Sequence, residues 1–129
     1  MPTSIRIRRI EERMRQELSA MLITEINDPR LAGISITDIK IDRELAYADI
    51  YVSSYEGHER AKEILQGLQN ASGYMRRILS ARIQLRTFPN LRFHWDPTPE
   101  KADHIESLLA TLRNQSTTEQ QEVEDDHDG

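Results

Sequence analysis

The stretch ASGYMRRILSARIQLRTFPNLRFHW, Ala71 to Trp95, carries Arg76, Arg77, Arg82, Arg86 and Arg92 and no Asp or Glu. Its opening Ala71-Ser72-Gly73 interrupts a helical pattern, since Ser and above all Gly weaken a helix interior. Its closing Leu91-Arg92-Phe93-His94-Trp95 alternates apolar and polar residues with the period of a strand. Between the two, Met75, Leu79 and Ile83 recur at helical spacing and face a core, which leaves Arg76, Arg77 and Ser80 on the opposite side. Arg82 sits off that face and marks the helix end. A helix start with exposed N–H groups, flanked by guanidinium groups, suits a phosphate. A kinked helix, an arginine-rich second half and a strand in succession therefore predict a surface for a polyanion.

Upstream, Ala61, Ile64, Leu65, Leu68 and Ala71 give a helix from about His58 its buried stripe. Leu45 to Ser53 reads as a strand, with Ala46, Ala48, Ile50 and Val52 on one face and Tyr47, Asp49 and Tyr51 on the other. In the strand before it, Ile34 and Ile36 are out of phase with Ile39 and Ile41. A bulge near Thr37-Asp38 brings all four to the core side, and Asp42-Arg43-Glu44 is the turn between the strands. The first helix, residues 4 to 26, carries Ile7, Ile10, Met14, Leu18, Met21, Leu22 and Ile26 as one stripe, capped by Thr3 or Ser4, and Asn27-Asp28-Pro29-Arg30-Leu31 stops it. Arg6, Arg9 and Arg13 share a second face near its N-terminus, where cations oppose the helix dipole and a partner anion relieves them. Downstream, Pro97-Thr98-Pro99 leads into a last helix with Ile105, Leu108, Leu109 and Leu112.

The net charge of −5 conceals two regions. Residues 1–113 hold all 17 Lys and Arg, fourteen of them Arg, together with 16 acids. Residues 114–129 hold the other six acids and no base, so they read as a disordered acidic tail behind a near-neutral domain. The absence of cysteine removes disulfides, thiol nucleophiles and Cys-based zinc sites, as a reducing, cytoplasmic setting allows. No apolar run approaches a membrane span and none reads as a signal peptide. His94 and Asp96 offer only two ligands on one strand, and no group of base, nucleophile and ligands emerges. We therefore expect no catalytic residue, metal, cofactor or small-molecule substrate.

The element order (helix, strand, strand, helix, kink, helix, strand, helix) fits an α+β, type II KH-like fold. Its three-stranded sheet has helices on one face, and Ala71-Ser72-Gly73 makes a helix-kink-helix in place of the Gly-x-x-Gly loop. Between Ile7 and Leu112 the sequence resembles the ribosome-binding factor A family of bacterial small-subunit assembly factors. The residues that carry this are Asp28-Pro29-Arg30-Leu31, Ile36-Thr37-Asp38, Asp42 through Ser53, Ala71-Ser72-Gly73 with Arg76, Leu85-Arg86-Thr87-Phe88-Pro89 with Leu91, Phe93 and Asp96, and Ile105-Glu106 with Leu108-Leu109. The resemblance implies a monomeric, cytoplasmic, non-enzymatic RNA-binding factor. It would bind the free small (30S) ribosomal subunit and 16S rRNA, assist late rRNA maturation including 5′-end processing, and matter most in the cold. On this reading Arg76, Arg77, Arg82 and Arg86 contact rRNA phosphates, with Arg6, Arg9, Arg13 and Arg92 as outer contacts. A KH-like module working through protein partners at the Tyr47/Tyr51 face is the alternative, and an RNA-processing nuclease is the enzymatic rival.

Overall fold

Apolar stripes at helical spacing and strands with one apolar face can only be buried against each other. The computed structural model shows how, and describes the backbone of residues 4–26 and 28–128, with side chains through residue 115. Helix α1 (Ser4–Thr24) is followed by strands β1 (Ile34–Ile41) and β2 (Tyr47–Ser54), helix α2 (Ala61–Arg82), strand β3 (Asn90–Trp95) and helix α3 (Thr98–Asp128). Thr3, an expected cap, and Asn27, part of the expected stop, lie outside the described residues. The chain forms two compact units, Met1–Asp96 and Pro97–Gly129. In the second, α3 places Ile105, Leu108, Leu109 and Leu112 along one side.

In the first unit the sheet order is β1-β2-β3, with β1 antiparallel to β2 and β2 parallel to β3. The parallel pair requires a crossover, which α2 supplies. The register of β1 shifts between Ile36 and Asp38, where the sequence calls for a bulge. As a result Ile36, Ile39 and Ile41 are all buried and Ile34 packs against the same core. Thr37, the extra residue, donates its hydroxyl to the Asp96 carboxylate at 2.6 Å. Asp28 ends the α1 segment by capping a short 3-10 turn at Pro29–Leu31, accepting from the Arg30 N–H at 3.0 Å. Gly33 then takes φ +76°, a conformation that favours glycine, with the Tyr55 ring against it. The turn between β1 and β2 places buried Leu45 at φ 57°. Ala46 lies in this turn, exposed, and not on the inner face expected from alternation.

Met14, Leu18 and Met21 of α1, Ala48, Ile50 and Val52 of β2, and Ile64, Leu68, Met75 and Leu79 of α2 are fully buried in one core. That core lies on one face of the sheet, and Tyr47, Asp49 and Tyr51 alternate away from it.

One expectation about α2 is corrected. Ala71-Ser72-Gly73 does not divide it into two helices: the backbone stays helical from Ala61 to Arg82. Ser72 turns its hydroxyl back to the Gln69 carbonyl at 2.7 Å, a local bond that helices tolerate. The propensity deficit of Gly73, about 1 kcal/mol, is smaller than the gain from burying Met75 and Leu79 beyond it, about 1.5–3 kcal/mol each.

A Cβ added at Gly73 meets nothing within 4 Å. Gly73→Ala is therefore expected to raise stability by about 0.5–1 kcal/mol. Thermal and urea unfolding of the two proteins check this, and a lower midpoint in the variant would mean the helix needs glycine there.

Candidate nucleic-acid interface

The arginines singled out from the sequence fall into three groups once the helices pack. Those in the first group are engaged by neighbouring groups of the fold. Arg76 is half-buried, and its guanidinium donates to the carbonyls of Phe88 (2.7 Å) and Pro89 (3.2 Å) while lying over the Phe88 ring. It fastens the loop between α2 and β3 and does not project away from the core. Arg92 forks onto Asp49 at 2.8 and 3.0 Å and covers the Tyr47 ring at 4.0 Å.

The second group sits at the junction of α1 with the end of α2. Arg82 donates to Glu17 (3.1 Å) and to Glu25, and these two acids, Glu25 foremost, hold its guanidinium charged beyond its ordinary range. Arg13 pairs with Glu17 at 3.5 Å and reaches the Arg82 carbonyl at 3.3 Å, so it also meets the negative end of the α2 dipole. Arg6, Arg9, Arg13 and Arg82 together line an open depression of about 430 Å³, with Gln84 on its rim. Sequence spacing placed Arg6, Arg9 and Arg13 on one face; packing adds Arg82 to them.

The third group is exposed. The guanidinium groups of Arg77 and Arg86 make no hydrogen bond or ion pair among the described residues, and the same is true of Arg9. Arg8 and Arg15 of α1, not singled out from the sequence, join them. Their seven-residue spacing along an exposed flank was the available signal.

The open sheet face is occupied by its own side chains. Asp49 is its hub, accepting from Arg92 and paired with His94 at 2.7 Å. Tyr51 stacks on His94 with centroids 5.1 Å apart, and Lys40 lies 5.7 Å from the Tyr51 ring. The Tyr47 and Tyr51 rings thus already carry contacts within the fold, while Tyr47 stays 42% exposed. Among the described residues no three His, Cys, Asp or Glu side chains gather as a metal site.

A mixed three-stranded sheet, two helices on one face and the order α-β-β-α-β-α define an α+β module of the type II KH-like class. The family model described as ribosome-binding factor A matches residues 6–109. A ribosome-binding factor A from Azoarcus sp. (strain BH72) is 38% identical over 104 residues, covering 81% of this chain and 82% of that one. The chain belongs to the ribosome-binding factor A family. Its fold matches the crystal structure of ribosome-binding factor A from Thermus thermophilus, with TM-score 0.61 and 20% identity over 69% of this chain and 93% of that one. It also matches the Thermus thermophilus coordinates fitted into the cryo-EM map of a 30S–ribosome binding factor A complex, with TM-score 0.54 and 22% identity over 66% of this chain and 89% of that one.

Two predictions separate these roles. Arg76→Ala should cost about 1.5–3 kcal/mol of stability, because its hydrogen bonds are made by a charged group and leave two carbonyls unpaired. Arg77→Ala should stay within about 0.5 kcal/mol of the parent. Chemical denaturation of both variants gives the comparison. Arg92 first, and then His94, hold the Asp49 carboxyl below its ordinary value. A depressed folded-state pKa contributes stability above the unfolded value, near 3.9, and loses it as pH falls through the folded value. Melting temperature should therefore fall with acidification below about pH 4, and Asp49→Asn should flatten that dependence.

Proposed function

We propose that this protein binds the free small ribosomal subunit through 16S rRNA and assists its late maturation, including processing of the 5′ end, without itself being an enzyme. The observation that carries the reading is the set of exposed guanidinium groups without internal partners, Arg77, Arg86 and Arg9, in a chain whose family is described by ribosome binding. The relative fitted into a 30S complex supports the small subunit as the target.

Arg77 and Arg86 are the primary phosphate contacts, and Arg6, Arg9 and Arg13 with Arg82 extend the surface around the depression. Arg76 acts indirectly by holding the Phe88-Pro89 loop, and Arg92 is tied to Asp49. Gly73 is exposed with open space around it, so RNA can approach the α2 backbone closely at that one residue. Binding one rRNA conformation more tightly than its competitors shifts the population toward it, which is how a factor without catalytic groups steers maturation. The protein acts as a monomer in the cytoplasm, matters most in the cold, and keeps 114–129 as a solvated acidic tail.

Charge reversal at Arg77 and Arg86 should weaken co-sedimentation with purified small subunits. The slope of log affinity against log salt should become shallower by about 0.7 for each single-strand phosphate that is no longer neutralised. Unchanged affinity and slope would reject these two residues as contacts.

A further inference from the structure

Arg82 presents two guanidinium nitrogens to two separate carboxylates, Glu17 on α1 and Glu25 just past its end. A phosphodiester offers two non-bridging oxygens, sharing one negative charge, to the same fork. The carboxylates therefore take up, on Arg82, the fork that a nucleic-acid phosphate would use. Arg82 itself lines the depression with Arg6, Arg9 and Arg13, and Glu17 and Glu25 lie outside that lining. Arg13 shares Glu17 and so belongs to the same exchange. All four side chains keep a quarter or more of their surface, or close to it, in solvent: 53% for Arg13, 38% for Arg82, 23% for Glu17 and 29% for Glu25. Pairs this exposed are weak and readily exchanged. Arg9, on the same rim, has no partner among the described residues, and its charge adds to the field that draws a phosphate in.

We infer that Glu17 and Glu25 are internal phosphate surrogates. They hold Arg82 in place while RNA is absent and are displaced from it when an RNA phosphate takes the Arg82 fork. The carboxylates thereby set the affinity of the surface: RNA must compete with them, and weak polyanions fail to. This rests on the RNA-binding reading above and adds a gate to it.

The test uses the full chain, with a short RNA hairpin and purified small subunits as probes. Glu17→Gln with Glu25→Gln should bind RNA about two- to thirtyfold more tightly, the range implied by removing two weak surface pairs. The same change in charge made elsewhere, Glu12→Gln with Glu44→Gln, should give a smaller gain. In an Arg82→Gln background the Glu17 and Glu25 changes should give no gain beyond that control, which is the coupling a double-mutant cycle reads. Addition of RNA to the wild-type protein should also shift the side-chain N–H resonances of Arg82. A gain equal to the control's, a gain that persists without Arg82, or Arg82 resonances indifferent to bound RNA would each overturn the inference and leave the RNA-binding reading standing. Failure of the wild-type protein to bind either probe would overturn both. Should the double variant unfold, Glu25→Gln alone, outside the helix, supports the same comparison with a single-site control.

Discussion

Burial of Ile64, Leu68, Met75 and Leu79 against the sheet holds α2 as one continuous rod, and the rest of the first unit is placed by it. The rod carries the crossover that makes β2 and β3 parallel neighbours. It fixes the azimuth of every arginine between Arg76 and Arg82. A true break at Ala71-Ser72-Gly73 would have rotated the second half independently. Because the stripe runs through it, Arg76 turns inward toward the Phe88-Pro89 carbonyls, Arg77 faces solvent and Arg82 reaches α1.

The same rod explains why a run of five bases without an acid is not five equivalent contacts. Acids lacking within the segment are supplied from elsewhere: Glu17 from within α1, Glu25 from just past its end, and Asp49 from β2. Carbonyls serve where no acid is near. A guanidinium group has five donors in a rigid fork, so any arginine that packing brings beside an acceptor is drawn into the fold. Those left over, Arg77 on α2, Arg86 in the loop after it and Arg8, Arg9 and Arg15 along α1, are open to a polyanion without displacement of an internal partner.

Much of the architecture was legible because it follows from alternation and spacing. The order of the elements, the stripes of α1 and α2 and the bulge at Thr37 could all be read from where Ile, Leu and Met recur. The reading of Ala71-Ser72-Gly73 as a division failed because helix propensity is a local quantity of about 1 kcal/mol. Tertiary burial on both sides of the triplet exceeds it. Ala46 was misplaced for a similar reason: the turn at Leu45 delays the start of β2 by two residues, and alternation counts only inside the strand.

By itself the sequence determined the class of fold, the faces of each element, and the concentration of guanidinium groups in one acid-free segment, because hydrophobic periodicity and charge spacing are properties of consecutive residues. Only the tertiary structure decided which of those groups remain available. Partners such as Glu25 for Arg82, 57 residues away, and Asp49 for Arg92, 43 residues away, are set by which elements pack together. A hydrogen bond between distant residues leaves no periodic trace in the chain that makes it.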